Sequence, residues 1–153
     1  MRKSMTVLIA LAVFAAGGAA WADTNTLTVQ ASVVGTCKFT SPDSTLNFPP
    51  LDPSVGTDVS GSSSTTFWCT KGVTPAFTPD LGAHSGGGLT RRMLDIGSGE
   101  FIPYSLSLAG DAIPSGGPGS PRTLTISGNV LGTNYISKPA GGYSDTVVIS
   151  LTP

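Results

Sequence analysis

Residues 24–34 alternate with a period of two: Leu27, Val29, Ala31 and Val33 fall on one face, and Thr26, Thr28, Gln30 and Ser32 on the other. That pattern predicts a β-strand with one apolar and one polar face. It runs free of Gly and Pro until Gly35. Residues 62–70, rich in Thr and containing Phe67, Trp68 and Cys69, predict a second strand. Residues 73–81 predict a weaker one, since Pro75 and Pro79 confine it to an edge or a bulge. Residues 89–96 and 100–108 are further extended segments, parted by Gly97, Ser98 and Gly99. In the second of these, Ile102, Tyr104, Leu106 and Leu108 share a face. Alternation returns over 123–127, and again over 143–151 through Val147, Ile149 and Leu151. Pro49-Pro50 and Asp52-Pro53 mark a loop, and the Gly/Pro/Ser stretch 110–121 marks another. Past residue 22 there is no helical stripe of useful length and no internal repeat. Short strands separated by turn signals predict an all-β sandwich, with a closed barrel as the alternative.

The longest apolar run, residues 7–16, belongs to a different kind of segment. Arg2 and Lys3 precede it and Ala20-Trp21-Ala22 follows it, the order of an export signal with a small-x-small cleavage site. Residues 1–22 are therefore expected to be a signal peptide cut between Ala22 and Asp23. The run is shorter than the roughly 20 residues of a spanning helix, and no Cys follows it for lipid attachment. The expected organisation is an N-terminal arm over 23–35 and a β domain over 36–153.

Composition narrows the class. Twenty Gly and twelve Pro in 153 residues disfavour a helix bundle. Eight Lys and Arg against nine Asp and Glu give a net charge of −1, and removing Arg2 and Lys3 leaves six cations against nine anions, or −3. The cations are scattered, with Arg91-Arg92 the densest group, so the chain has no electrostatic reason to bind nucleic acid.

Cys37 and Cys69 both lie in the exported part, where an oxidising compartment and an even count favour one disulfide. A catalytic Cys would need a His partner, and His84 is the sole histidine; two Cys and one His do not make a recognised metal spacing. His84 reads as a solvated loop residue, Arg91 and Arg92 as solvated surface side chains, carboxylate partners or a subunit contact, and Trp68 as a neighbour of the disulfide. Gly86-Gly87-Gly88 lacks the Lys-Ser/Thr and helix of a phosphate loop. Asp95 and Glu100, five residues apart across a Gly-Ser-Gly turn, fix no glycosidase carboxylate separation. No Ser has a nucleophile-elbow context. An enzyme is the weakest class, and neither cofactor nor metal is expected.

The order of elements carries a resemblance. The alternating arm is followed by Cys37, by Phe48-Pro49-Pro50-Leu51-Asp52-Pro53, and by Phe67-Trp68-Cys69-Thr70-Lys71-Gly72. Then come Arg91-Arg92-Met93, Tyr104-Ser105-Leu106 and the closing Gly142-Tyr143-Ser144-Asp145-Thr146-Val147. This resembles the spore coat protein U domain family, whose members include pilin subunits of archaic chaperone–usher pili. The sequence departs from the family pattern at Phe48-Pro49, where Phe-Gly is usual, and at Ser107, where an aromatic is common.

The resemblance implies an immunoglobulin-like, pilin-type sandwich lacking its last strand. In such pilins a periplasmic chaperone lends a strand, and the arm of the next identical or related pilin replaces it at an outer-membrane usher. On that expectation Leu27, Val29, Ala31 and Val33 are the donor-strand residues, Cys37 and Cys69 the structural bridge, and the product a surface pilus or fimbria serving attachment and biofilm formation. The alternatives are a self-contained secreted carbohydrate- or surface-binding sandwich, in which the 24–34 strand pairs within its own sheet, and a spore or outer-coat structural protein.

Overall fold

Alternation in the central part of the chain builds a twisted antiparallel sheet. The computed structural model describes residues 21–110 and 112–153; residues 1–20 of the expected signal peptide lie outside them. The strands are β1 (Cys37–Phe39), β2 (Val59–Cys69), β3 (Ala76–Pro79), β4 (Arg91–Asp95), β5 (Phe101–Gly110), β6 (Arg122–Val130), β7 (Tyr143–Ser144) and β8 (Ile149–Thr152), with one 3-10 turn over Gly132–Asn134. Six strands form one sheet in the order β1-β2-β6-β5-β4-β7, and β3 and β8 form a second. All pairings are antiparallel. The protein is all-β, an incomplete immunoglobulin-like sandwich.

The predicted strands hold in the middle of the chain and shift at its ends. The final alternating run splits into β7 and β8. The short β1, which pattern alone does not announce, exists because Cys37 lies directly opposite Cys69. Residues 24–34 carry no strand. A strand needs a neighbour for its N–H and C=O groups, and the chain divides at Ser32, with every strand of the described residues in Val33–Pro153.

Inside Val33–Pro153 the side chains of one sheet face make two clusters. Phe67, Cys69, Leu124 and Ile126 form the first; Phe77, Ile149 and Leu151 of the second sheet pack on it. The Phe67 and Phe77 rings meet edge-on at 4.9 Å, the arrangement aromatic quadrupoles prefer. Met93, Ile102, Val130 and Tyr135 form the second cluster, covered by Phe48, Leu51 and Tyr143. Pro79 is tolerated in β3 because it sits opposite Ile149 at a position where no ladder N–H is needed.

A glycine pair fixes how the first cluster is roofed. Gly61 and Gly128 face each other across β2 and β6. A Cβ on Gly61 would lie 2.6 Å from the Asn47 carbonyl oxygen, and one on Gly128 would lie 2.8 Å from the Phe48 ring. The segment carrying Leu46, Asn47 and Phe48 therefore crosses the sheet where the sheet has no side chains.

Candidate functional site: an apolar groove between two unpaired edges

The register leaves two sheet edges open. The Thr40 and Thr70 amides bond to the Thr66 and Thr36 carbonyls, 2.9 and 2.8 Å away, so the main-chain groups of even-numbered residues around β1 point at β2. Those of Cys37 and Phe39 consequently point to the opposite side. In the other sheet, the Asp80 amide donates to the Val148 carbonyl at 2.9 Å and the Ala83 amide to Thr146 at 3.0 Å. The main-chain groups of Val147, Ile149 and Leu151 therefore point away from β3. β1 has β2 as its one strand partner among the described residues, and β8 has β3. The two edges approach each other without pairing.

Between them lies a groove of about 1030 Å³. Thr65, Ile126, Leu106, Tyr104, Ile102 and Met93 of the large sheet form its floor, Phe39, Leu46, Phe48 and Leu51 one wall, and Val147 and Ile149 the other. Most of these apolar side chains are only half-buried: Phe39, Leu46, Phe48, Leu51, Leu106, Val147 and Ile149 are each partly open to solvent. The buried hydrophobic side chains number eight among the described residues. That is a thin core for a unit of this length, and the half-buried set lies where one more strand would cover it.

The disulfide staples one wall. Cys37 and Cys69 are joined, with Cα atoms 4.0 Å apart, and Cys69 is fully buried. The buried Ser115 hydroxyl donates to the Cys69 carbonyl at 3.0 Å and accepts from the Cys69 amide at 3.3 Å. The short β1 is thus tied to the sheet centre by a covalent bond as well as its ladder.

The residues expected to form the donor strand are open to solvent. Leu27, Val29 and Val33 are 82%, 82% and 86% exposed, Ala31 is exposed, and so are Ala22 and Asp23. An apolar face presented to water in this way is a liability unless something covers it.

The remaining residues singled out by the sequence acquire specific structural roles. Asp95 is buried; the Gly97 and Ser98 amides and the Ser98 hydroxyl donate to its carboxylate at 3.3, 3.1 and 2.6 Å. The Ser98 hydroxyl, foremost, holds its pKa below the usual value, working against the opposite effect of desolvation. Glu100 meets Lys138 at 2.7 Å, and that hydrogen bond and charge lower its pKa. The two carboxylates are occupied by turn and ion-pair contacts rather than facing each other across a cleft.

Three expectations need correction. His84 is not a solvated loop residue: its amide and Nδ1 lie 3.2 and 3.1 Å from Asp145 Oδ1. Trp68 does not pack with the disulfide, because neighbouring strand residues point to opposite faces and it lies opposite Lys38 on the outer one. Arg91 and Arg92 are half-buried and bonded to main-chain carbonyls of 79–85.

Sequence reading missed the Asp145 contacts altogether. Tyr104 donates to Asp145 Oδ2 at 2.8 Å, and the Asp145 side chain is 2% exposed. Burial, then the hydrogen bond to Asp145, pushes the Tyr104 pKa well above the usual phenol value. Separations of 61 residues to His84 and 41 to Tyr104 leave no local spacing that would have revealed the set. Its one sequence signal is the closing Gly-Tyr-x-Asp-Thr-Val element.

Among the described residues no helix is long and apolar enough to cross a membrane. The sequence model of the Spore Coat Protein U domain matches residues 23–150. None of the curated proteins matches the chain.

Proposed function

This chain belongs to the Spore Coat Protein U domain family, one of pilus- and coat-type structural domains rather than an enzyme family, and from that premise we propose that it is a pilin subunit polymerising by donor-strand complementation. The 23–35 arm of one copy fills the groove of the next. Its alternate apolar side chains enter the groove, and its main chain bonds to the open edges of β1 and β8. The protein catalyses no reaction and needs no cofactor. Its product is a surface pilus or fimbria that serves attachment and biofilm formation.

The observation that carries this reading is the pair of facing, unpaired edges flanking a groove lined by half-buried apolar side chains. A strand rises about 3.3 Å per residue, so Leu27 to Val33 presents four apolar side chains over about 20 Å. Burial of Leu27, Val29 and Val33 contributes roughly 1.5–3 kcal/mol each before ordering costs. Before assembly the same edges are an aggregation hazard. A periplasmic chaperone that lends a strand covers them, and an outer-membrane usher is where the exchange takes place. In this reading residues 1–22 are the leader that delivers the chain to the periplasm.

Gel electrophoresis of the exported chain in SDS, heated and unheated, tests the reading. The expected result is a heat-sensitive ladder of multiples that depends on the chaperone. Leu27→Asp combined with Val29→Asp is expected to abolish the ladder while leaving the disulfide formed. Normal fibres from that double variant would overturn the arm assignment, and a stable monomer that needs no chaperone would point to a self-contained sandwich.

A further inference from the structure

Two sequence elements meet at one place: Arg91-Arg92, outside the groove lining, and the closing Asp145, at its edge. Arg91 Nε donates to the Asp80 carbonyl at 2.8 Å and Nη2 to the Pro79 carbonyl at 3.3 Å. Arg92 Nε donates to the His84 carbonyl at 3.1 Å and Nη2 to Ser85 at 3.2 Å. The Arg92 guanidinium also lies 4.1 Å from the centre of the Phe101 ring, within cation–π range. β4 therefore grips residues 79–85 by their carbonyls, a contact that the guanidinium fork makes and an ammonium does not.

Residues 79–85 in turn hold the groove wall. Asp80 Oδ1 accepts from the Val148 amide at 3.0 Å, alongside the bonds from Asp80 to Val148 and from Ala83 to Thr146. At the head of the wall the Asp145 carboxylate accepts from the His84 amide and lies within hydrogen-bond distance of the His84 ring, while Tyr104 reaches it from the floor at 2.8 Å. Gly82 leaves room for this: a Cβ there would lie 2.1 Å from Asp145 Oδ2, at a φ of +79°.

We infer that Arg91, Arg92, Tyr104, His84 and Asp145 form a bracket that suspends the 145–149 wall at a fixed height above the sheet, and that these are positioning residues for strand addition. This rests on the donor-strand reading. An incoming strand bonds main chain to main chain, so its affinity depends on the open edge being held in place before it arrives. Without the bracket the incoming strand must order the wall as it docks, and it leaves sooner.

The test uses the full oxidised chain carrying Leu27→Asp and Val29→Asp, which removes its own arm from competition. The probe is a fluorescent synthetic peptide with the sequence of residues 24–34, followed by anisotropy and by its release rate. Tyr104→Phe keeps the ring that meets Phe48 at 6.3 Å and removes one bracket bond; Asp145→Asn removes an acceptor. Each is expected to weaken binding about tenfold, mostly through faster release. Because they share one bracket, the pair together should weaken it by less than the product of the single effects. Val130→Ala, in the core behind the groove floor and not itself a lining residue, should lower the thermal midpoint and leave peptide affinity unchanged.

Equal peptide affinity in the parent and in Tyr104→Phe overturns the bracket, and Tyr104→Phe decides the matter if Asp145→Asn does not fold. Weakening by Val130→Ala in step with its loss of stability also overturns it, since general stability would then be the cause. Failure of the parent to bind the peptide at all is a different outcome: the donor-strand reading falls, and the bracket's role in it falls too.

Discussion

Replacing Gly61 with alanine sets two opposed effects against each other. Gly61 sits in β2 opposite Gly128, with no positive φ to forbid a side chain. In an open strand position, Gly→Ala stabilises by about 0.4–1 kcal/mol through the unfolded chain. Here the new Cβ would lie 2.6 Å from the Asn47 carbonyl oxygen and 3.2 Å from Leu46 Cδ2. The crossing segment must retreat by about 0.6 Å or more to restore ordinary contact. It is anchored on both sides, by Leu46 on the first cluster and Phe48 on the second, so the shift strains two packing sites. Overpacking of this kind costs about 1–3 kcal/mol, which leaves a net loss of about 1–2 kcal/mol. For a unit of this size that lowers the midpoint by about 4–8 °C. Thermal unfolding of the oxidised chain by circular dichroism reads it, with Gly119→Ala as the internal comparison. A Cβ at Gly119 would meet no atom within 4 Å, and its φ is not positive, so its alanine variant should be neutral or slightly more stable. If Gly61→Ala raises the midpoint as Gly119→Ala does, the chain does not cross the sheet at the glycine pair in tight contact.

Three further outcomes rest on other contacts of the same chain. Replacing both Cys37 and Cys69 with serine opens a loop of 32 residues and should lower stability by about 3.7 kcal/mol in the chain-entropy account; denaturant unfolding with and without reductant measures it, and a loss below about 1 kcal/mol would mean that the unfolded chain gains little freedom. The raised Tyr104 pKa means that the folded state favours the neutral phenol. Its contribution is then complete below the ordinary phenol pKa of about 10 and lost as pH rises above it. The stability gap between the parent chain and Tyr104→Phe, present at pH 8, should therefore close above pH 10. The lowered values at Asp95 and Glu100 have the opposite sign, giving stability that is present above the ordinary carboxylate range and lost as pH falls through it. Asp95→Asn should flatten that acid limb in urea titrations.

How much of this was legible in the sequence depended on whether the determinant was local. Period-two alternation placed β5 and β6 because their odd and even residues face different surroundings, and Ile102, Leu106 and Ile126 fall on the inner face as the pattern requires. The disulfide was legible from compartment and count. β1 was not, since three residues carry no period and their strand character comes from Cys69 across the ladder. The three-proline stretch at 49–53 reads as a loop by composition, yet the preceding Leu46 and Phe48 lie against the sheet because Gly61 and Gly128 leave space there. His84 looked like a loop histidine because its partner, Asp145, comes 61 residues later. Groove and bracket are both products of long-range register, which a single strand's pattern does not encode.

The arm and the groove are each unstable features when considered alone. An exposed alternating segment with Leu27, Val29 and Val33 more than four-fifths in water invites association, and so does an unpaired edge over apolar side chains. Proteins blunt such edges with inward-pointing charges, prolines or short strands. Val147 and Ile149 of the wall leading into β8 line the groove, and the wall's one charge there, Asp145, is only 2% exposed, being held by His84 and Tyr104. The arm likewise places no charge among its alternating positions. Both surfaces lack the protection expected of a permanent monomer, and each has the periodicity that the other requires. In the proposed assembly, strand addition between copies would remove both liabilities at once, with main-chain bonds satisfied on two edges and the half-buried groove side chains covered. In that assembly a bracket that keeps the opening at one width would determine how readily addition proceeds, because a collapsed groove would bury its own apolar side chains and exclude the incoming strand.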